Sequence, residues 1–267
     1  MLDFDAIVQQ YVPEFAEKRW PITTRELMGH IAGVHNYGAA QMLRREHCDN
    51  ARAGVAEIAE DTLFFEPRTE FRYSNHGFGL VGALVEAAAG EPYLDFMKRE
   101  VFAAMGLERT MPDLGDQTAA ARATFYDMRG FHTLRRSHEI DMSCAMSAGG
   151  FLSTPSELIR FGYAMLDAEI LQRETVDMFW TRQRLTSGAP TNYGMGWQIS
   201  TVRLGDDDAS TVMIGHGEAV PGGRAALMIF PDQRMVVATM TNTSANVNAL
   251  AGRLAGIFRD SSPSRSS

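Results

Sequence analysis

Lysine is nearly absent from this chain of 267 residues: only Lys18 and Lys98 occur, and arginine supplies the rest of the positive charge. Asp and Glu outnumber Lys and Arg by 33 to 25, which gives a formal net charge of −8 at pH 7. Contact with the phosphates of a nucleic acid, or with an anionic membrane surface, requires clustered Lys and Arg side chains. This composition therefore argues against a general nucleic-acid binder, and we expect no nucleic-acid partner.

Cysteine is equally scarce, since Cys48 and Cys144 are the only two. They form no Cys-x-x-Cys pair and have no spacing typical of zinc sites. A single disulfide between them stays open, but nothing in the sequence supports it, and we favour two unpaired thiols. The seven histidines are scattered along the chain. We therefore expect no metal site and no other cofactor.

Long apolar runs are also lacking. No stretch approaches the roughly 18 residues of a membrane-spanning helix, so we expect no membrane span in this chain. Residues 1–5 have neither the basic start nor the apolar stretch of a signal peptide. The sequence leaves the compartment open between cytoplasmic and periplasmic or secreted, and it leaves the oligomeric state open as well.

The spacing of apolar residues in the first two-thirds of the chain is that of helices. Thr23, followed three residues later by Glu26, has the form of a capping box. Helices are predicted over residues 75–89 and 93–105, each ended by a glycine. A further helix is predicted to begin after Thr154, where Pro and Glu follow at the positions of a helix start.

After about residue 190 the pattern becomes that of strands. It predicts a strand over residues 196–202, a hairpin formed by residues 226–230 and 235–240, and a closing helix over residues 247–258. A helical region followed by an antiparallel sheet suggests two subdomains with a cleft between them.

We therefore divide the chain into three parts. Residues 1–185 form a mainly helical region, residues 186–260 form the sheet with its closing helix, and residues 261–267 form a tail. The tail is rich in serine, and this low-complexity composition predicts disorder.

Four short blocks remain as candidates for chemistry. They are Phe71-Arg72-Tyr73-Ser74-Asn75, the residues from Ser147 to Thr154, Tyr193-Gly194-Met195-Gly196-Trp197, and the residues from His216 to Gly223. Taken singly, each has a structural explanation, such as a helix cap or a glycine turn. Gly77, Gly79 and Gly82 match G-x-G-x-x-G, but no apolar strand precedes them, so we interpret them as small residues on a close-packed helix.

Together and in this order, the blocks resemble the β-lactamase-related serine hydrolases. Residues 27–34 are similar to the family's histidine-containing helix end, and the resemblance extends from Leu2 to about Phe258. It implies an α/β fold of the serine β-lactamase type, similar to penicillin-binding proteins, with a helical region packed on an antiparallel sheet flanked by helices.

The resemblance also implies acyl transfer through three motifs. A serine in Ser-x-x-Lys attacks a carbonyl group, a Tyr-x-Asn tyrosine shares the proton transfer, and a Lys-Thr-Gly or His-Thr-Gly segment lies on a sheet strand. Carried over to this sequence, Tyr73 is the proton-transfer tyrosine and Asn75 the amide that orients the substrate. His216 stands where the family has lysine or histidine.

The residues after His216 would then bind the substrate. The backbone N–H of Ala219 is one expected donor to the oxyanion, and Gly217 and Glu218 lie beside it in the sequence. Glu218 departs from the family pattern, because it places a carboxylate where glycine usually leaves room. That change is expected to narrow the site or to repel anionic substrates such as penicillins.

The largest departure is that the chain contains no Ser-x-x-Lys, since Phe15 and Asp95 stand three residues before its two lysines. We expect a truncation that removes the nucleophile helix and the first sheet strands. The implied function is hydrolysis of an ester, amide or β-lactam, with an esterase-like or peptidase-like substrate favoured, and this chain alone is expected to be inactive. The alternative is a non-catalytic relative that binds or self-associates.

Overall fold

A computed structural model describes residues 2–38, 46–115, 122–129, 133–204 and 210–261. The chain forms two compact units. Unit 1 consists of Met1–Arg122, Glu139–Leu152 and Thr181–Gly196. Unit 2 consists of Ala123–His138, Ser153–Trp180 and Trp197–Ser267. The division at residue 185 that the sequence suggests stays a prediction.

The described residues contain helices and antiparallel strands. The helices are α1 Thr24–Met28, α2 Ala51–Val55, α3 Asn75–Ala89, α4 Tyr93–Phe96, α5 Ala103–Met105, α6 Met146–Gly149, α7 Pro155–Asp167, α8 Arg173–Phe179 and α9 Val247–Ser261, with short 3-10 helices at Val8–Gln10 and Ser143–Ala145 and a π-helix at Met97–Phe102. The strands are β1 Met111–Pro112, β2 Tyr126–Arg129, β3 Thr133–Arg136, β4 Phe151–Leu152, β5 Gln198–Arg203, β6 Ser210–Val220, β7 Gly223–Phe230 and β8 Met235–Thr241.

Unit 1 is built on α3, whose ends are set by local chemistry. Ser74 caps its N-terminus by accepting a hydrogen bond from the backbone N–H of Gly77, and Gly90 ends it with a φ of 71°. Burial of an apolar stripe holds the unit together. The core is formed by Val8, Val12, Phe15, Ile22, Leu27, Ala32, Val34, Val55, Ile58, Leu80, Ala83 and Leu84.

The predicted helix over residues 93–105 is present, but it is not uniform. α4 continues into the π-helix Met97–Phe102 and then into α5, and Gly106 ends it with a φ of 62°. The apolar spacing of so short a segment does not distinguish i→i+4 from i→i+5 hydrogen bonds. The capping box of Thr23 and Glu26 is present at the start of α1, as predicted.

The interpretation of the cysteines as unpaired thiols was wrong, because Cys48 and Cys144 form a disulfide. Cys48 lies just before α2 and Cys144 lies in the 3-10 helix Ser143–Ala145. A Cβ atom at Gly54 of α2 would lie only 2.6 Å from the carbonyl oxygen of Cys144, so glycine allows the two segments to approach. The partners are 96 residues apart, and no local sequence pattern reports such a contact.

Unit 2 contains a four-stranded antiparallel sheet in the order β5-β6-β7-β8. The predicted hairpin is present, since β7 pairs with β8 from Arg224↔Thr241 to Phe230↔Met235. Thr154 caps α7 and Pro155 occupies its first turn, again as predicted. α7 packs closely on the sheet, because a Cβ atom at Gly162 would lie 2.5 Å from Cγ1 of Val236. The core beneath α9 is formed by Leu204, Met213, Ala226, Phe230, Val237, Val247, Ala251 and Ala255.

The spacing of apolar residues did not predict two parts of unit 2. The eleven-residue strand β6 carries Gly215, Gly217 and His216 at its centre, which obscures a strand period. The hairpin β2–β3 has a fully exposed second strand and therefore no apolar alternation. α9 extends to Ser261, and residues 262–267 of the predicted tail lie outside the described residues. None of the helices within the described ranges combines the length and apolar character that a membrane span requires.

Candidate active site

Tyr73 and Asn75 lie at the N-terminus of α3 in unit 1, on either side of the capping residue Ser74. The Oγ atom of Ser74 accepts from the backbone N–H of Gly77 at 2.9 Å. Because a capping residue has extended rather than helical backbone angles, its neighbours point in directions set by the turn. The cap thus fixes the backbone from which both predicted site residues project.

The segment that follows α1 accepts hydrogen bonds from the backbone N–H groups on both sides of Tyr73. The backbone N–H of Arg72 donates to the carbonyl oxygen of His30 at 2.9 Å. The backbone N–H of Ser74 donates to Nδ1 of the His30 ring at 3.1 Å. One histidine therefore accepts from the residue before Tyr73 and from the residue after it.

Two further hydrogen bonds join the same two segments. Oγ of Ser74 donates to the carbonyl oxygen of His35 at 2.6 Å. The backbone N–H of Asn75 donates to Oδ1 of Asn36 at 2.9 Å. The first backbone N–H groups of a helix have no partner within the helix, and the bond to Asn36 satisfies that of Asn75. They leave little freedom for the Tyr73-Ser74-Asn75 turn.

Aromatic rings surround His30. The centroid of its imidazole lies 4.2 Å from the ring of Tyr73, 4.6 Å from Tyr193 and 5.1 Å from Phe78, and Phe71 meets it edge-on at 6.1 Å. His30 is 3% exposed and Tyr193 is 5% exposed. Three sequence blocks thus meet at one buried ring: the block after α1, the Tyr-x-Asn block and the Tyr193 block. Sequence reasoning noted His30 only as part of the family resemblance and gave it no role.

The Ser147 block also reaches α3. Oγ of Ser147 donates to the carbonyl oxygen of Phe78 at 2.8 Å. A Cβ atom at Gly82 would lie 2.3 Å from that Oγ, so any other residue at this position would force Ser147 or the helix to shift. The last glycine of the G-x-G-x-x-G match is therefore explained by close packing on a helix.

In unit 2 the strand β6 carries His216, Gly217, Glu218 and Ala219 in sequence. β5 pairs with β6 only as far as Gln198↔Gly215, whereas β7 pairs with it up to Val220↔Gly223. In the described part of the chain, no strand is paired with residues 216–220 on the side opposite β7. This outer end of β6 is therefore an open sheet edge.

The hairpin register shows which backbone groups face that edge. β6 and β7 are joined by a two-residue turn, in which the closing pair Val220↔Gly223 exchanges hydrogen bonds. Because hydrogen-bonded and non-hydrogen-bonded pairs alternate along antiparallel strands, the pair Ala219↔Arg224 is of the other kind. The N–H of Ala219 consequently points away from β7, as an oxyanion donor on an edge strand must.

That N–H already has a partner within its own strand. It donates to Oε1 of Glu218 at 2.9 Å. Burial raises the pKa of the Glu218 carboxyl above its usual value, and the hydrogen bond from Ala219 and the charge of Arg224 oppose the rise. A substrate oxygen that is to use this donor must first displace the carboxylate. Sequence reasoning anticipated a carboxylate near the site but not this contact, which depends on the register of the hairpin.

His216 is half-buried on the same strand. Burial lowers the pKa of its imidazole below the usual value, and a hydrogen bond with the backbone of Gly217 opposes the change. The ring is therefore held as the neutral form at pH 7, which can accept a proton. Each unit thus brings its own predicted residues together: Tyr73 and Asn75 in unit 1, and the run from His216 to Ala219 in unit 2.

Comparison with known proteins identifies the family. The family model described as Beta-lactamase matches residues 1–257, and the chain therefore belongs to the beta-lactamase family. The human serine beta-lactamase-like protein LACTB, mitochondrial, is 24% identical over 87% of this chain and 58% of its own length. The D-aminopeptidase of Brucella anthropi is 24% identical over 95% of this chain and 47% of its own length. The chain thus spans about half the length of these curated relatives.

Solved structures establish the fold. The D-stereospecific amidohydrolase from a Streptomyces species has a TM-score of 0.78 at 20% identity, covering 99% of this chain and 80% of its own. The D-amino acid amidase from Ochrobactrum anthropi SV3 has a TM-score of 0.77 at 20% identity, covering 98% and 78%. The expected α/β fold of the serine β-lactamase and penicillin-binding protein type is confirmed.

Proposed function

We propose that the protein hydrolyses a small ester or amide through an acyl-enzyme, with Tyr73 as the proton-transfer group, Asn75 orienting the substrate and His216 as a further catalytic residue. The chain contains no Ser-x-x-Lys, so in this proposal the attacking serine and its lysine come from residues outside these 267. The acyl-enzyme divides one difficult substitution into two easier steps.

The observation that carries the proposal is the fixed turn at the start of α3. Four hydrogen bonds from Arg72, Ser74 and Asn75 reach the segment of residues 30–36. A proton-transfer group works when it is held within hydrogen-bond reach of the reacting atom, and small displacements lower the rate steeply. The hydrogen bonds on both sides of Tyr73 support this role, because they hold the backbone from which its side chain projects.

The outer end of β6 supports esters and amides over β-lactams. Its neutral His216 offers no fixed positive charge to the carboxylate that a penicillin carries. Glu218 adds a carboxyl group beside the expected oxyanion donor. Like charges in one site cost binding free energy, so substrates without a carboxylate next to the reacting bond are favoured. The D-aminopeptidase relative is consistent with an amide substrate.

A second candidate function is a non-catalytic one, in which the protein binds a ligand or associates with itself. The hydrogen bond between Ala219 and Glu218 favours this candidate, because the donor that catalysis needs is occupied. The two candidates differ in whether the carboxylate gives way to a substrate oxygen.

Covalent labelling distinguishes the candidates. The 267-residue chain and a form extended by the codons upstream of Met1 are treated with a fluorescent fluorophosphonate, and the intact mass is measured. Hydrolysis through an acyl-enzyme predicts one adduct on a serine of the extended form and none on the shorter chain. An adduct on the shorter chain would reveal a different nucleophile. An extended form that contains Ser-x-x-Lys and yet remains unlabelled would favour the non-catalytic candidate.

A further inference from the structure

His30 has an unusual backbone for a buried residue. Its φ is 55°, in the left-handed region that only a few per cent of non-glycine residues adopt, with asparagine, aspartate and histidine enriched among them. The other described non-glycine residues with positive φ, Arg68, Ala168 and Arg234, are exposed or half-buried. A histidine that is 3% exposed and held in this conformation is constrained by its surroundings, so its contacts are informative.

We propose that His30 is a positioning residue for Tyr73: its Nδ1 atom, by accepting the N–H of Ser74, and its ring, by packing against the phenol, fix the direction in which Tyr73 points. The inference rests on the proposed function, since it gives His30 a purpose only if Tyr73 transfers protons. It goes beyond that function because His30 need not contact the substrate.

The hydrogen bond defines the state of the ring. An imidazole nitrogen that accepts a backbone N–H carries no proton. Nδ1 accepts from Ser74 at 3.1 Å, so the neutral ring bears its proton on Nε2. The carbonyl oxygen of the same residue accepts from Arg72 at 2.9 Å. His30 therefore holds both backbone neighbours of Tyr73, while its ring lies 4.2 Å from the phenol ring.

Packing alone would not require a histidine at this position. Phenylalanine would fill a similar volume among Tyr73, Tyr193 and Phe78, but it offers no acceptor to Ser74. The N–H of Ser74 would then be left without a partner in a buried position, which is costly. Asparagine is the complementary substitution, because its Oδ1 atom is as many bonds from the backbone as Nδ1 of histidine and because it tolerates positive φ.

The test compares H30F with H30N in the 267-residue chain. Amide hydrogen exchange of Ser74, followed by NMR, reports the hydrogen bond directly. We expect exchange at Ser74 to be about 10-fold or more faster in H30F and within about threefold of the original rate in H30N. F78L is the matched control, because it removes a ring that packs on His30 at 5.1 Å without removing an acceptor. It should lower stability and leave Ser74 protected.

The unsubstituted protein provides a measurement that no folding defect can obscure. The nitrogen-15 spectrum of labelled histidine should show His30 neutral with the proton on Nε2. A proton on Nδ1, or equal exchange at Ser74 in H30F and H30N, would overturn the inference. So would F78L if it exposed Ser74 as much as H30F does, because His30 would then act through packing alone.

Activity separates this inference from the proposed function. In a form that hydrolyses a p-nitrophenyl ester, H30F should lower kcat about 10-fold or more with little change in KM, and H30N should restore most of the loss. A form that hydrolyses no ester contradicts the proposed function, whereas the NMR outcomes still decide whether His30 positions Tyr73. An active form in which H30F keeps full kcat would overturn the inference and leave the proposed function intact.

Discussion

The start of α3 and the outer end of β6 each carry expected site residues, but the two are held in different ways. At α3, hydrogen bonds and closely packed rings fix the turn that contains Tyr73. At β6, ionisable groups lie on an open edge, where Glu218 binds the N–H of Ala219. The first arrangement depends on hydrogen bonds and ring packing, with one ring nitrogen of His30 as an acceptor. The second contains an imidazole and a carboxyl group whose pKa values are shifted, so it responds to pH.

Substitutions in the two regions should therefore change different properties of the protein. A change near Tyr73 should alter a rate without altering which substrates are preferred, because the geometry there serves a proton transfer common to all of them. A change near Glu218 should alter the preference among substrates, because it changes the charge that a substrate meets.

The largest effect is expected from Tyr73→Phe in a form that hydrolyses esters. Loss of the phenol O–H removes a proton-transfer group, which should lower turnover by about 10² or more. The ring contact with His30 remains, so the free energy of unfolding should change by less than about 1 kcal/mol. Steady-state kinetics and denaturant unfolding measure the two quantities.

Tyr163→Phe is the matched control for Tyr73→Phe. It removes the hydroxyl of a tyrosine that is 37% exposed on α7, and it should leave turnover unchanged. Equal turnover in Tyr73→Phe and the original protein would show that the Tyr-x-Asn assignment is wrong.

A comparable effect, on stability instead of rate, is expected when both Cys48 and Cys144 are replaced by alanine. The disulfide closes a loop of 96 residues, and loss of such a link costs about 2–5 kcal/mol of unfolding free energy. Denaturant unfolding with and without reductant measures it. The NMR signal of His216 in unit 2 serves as the control and should not move in the folded protein, since both cysteines belong to unit 1. An unchanged unfolding midpoint would contradict the prediction.

Local signals in the sequence predicted the ends of several helices. Thr23 with Glu26 and Thr154 with Pro155 are caps that act within one helical turn, and a glycine in the left-handed conformation is favoured where a helix ends, as at Gly90. The site residues themselves were reached through the family resemblance, because Tyr73 and His216 have ordinary structural explanations when each is taken singly.

What the sequence missed depends on partners far apart in the chain. Ser74 is 44 residues from its acceptor on His30, and Cys48 is 96 residues from Cys144. The contact of Glu218 with Ala219 is local, but the register of β6 and β7 decides whether the N–H of Ala219 faces the sheet edge. Hydrophobic periodicity contains no information about such contacts, since it reports which face of an element is buried and not what the element meets.

A smaller effect is expected at Glu218. Glu218→Gly removes both the carboxylate and the contact that occupies the N–H of Ala219, so it should raise kcat/KM for a penicillin relative to a neutral p-nitrophenyl ester by about 3–10-fold. Glu218→Gln keeps the size of the side chain and removes its charge. If charge is the cause, Glu218→Gln should give most of the change in the ratio. If only Glu218→Gly changes the ratio, space is the cause. No change in either variant would show that Glu218 does not meet the substrate.

The smallest effect is the pH dependence of stability. The pKa of His216 is lowered in the folded state, so the folded protein binds fewer protons there than the unfolded chain. Its contribution to stability is fully present above the unfolded pKa of about 6.5 and is lost as the pH falls through the folded pKa. The pKa of Glu218 is raised, so its contribution is fully present below the unfolded pKa of about 4.5 and is lost as the pH rises through the folded pKa.

Unfolding curves between pH 4 and pH 8 test these signs. His216→Gln should flatten the loss of stability on the acid side of about pH 6.5, and Glu218→Gln should flatten the opposite slope above about pH 4.5. Both groups are half-buried on an open edge, so each slope should be shallow. Tyr73→Phe should leave both slopes unchanged, because it alters neither of the two groups whose pKa values are shifted. A pH profile that shifts with Tyr73→Phe and not with His216→Gln would reverse the contrast between the two regions.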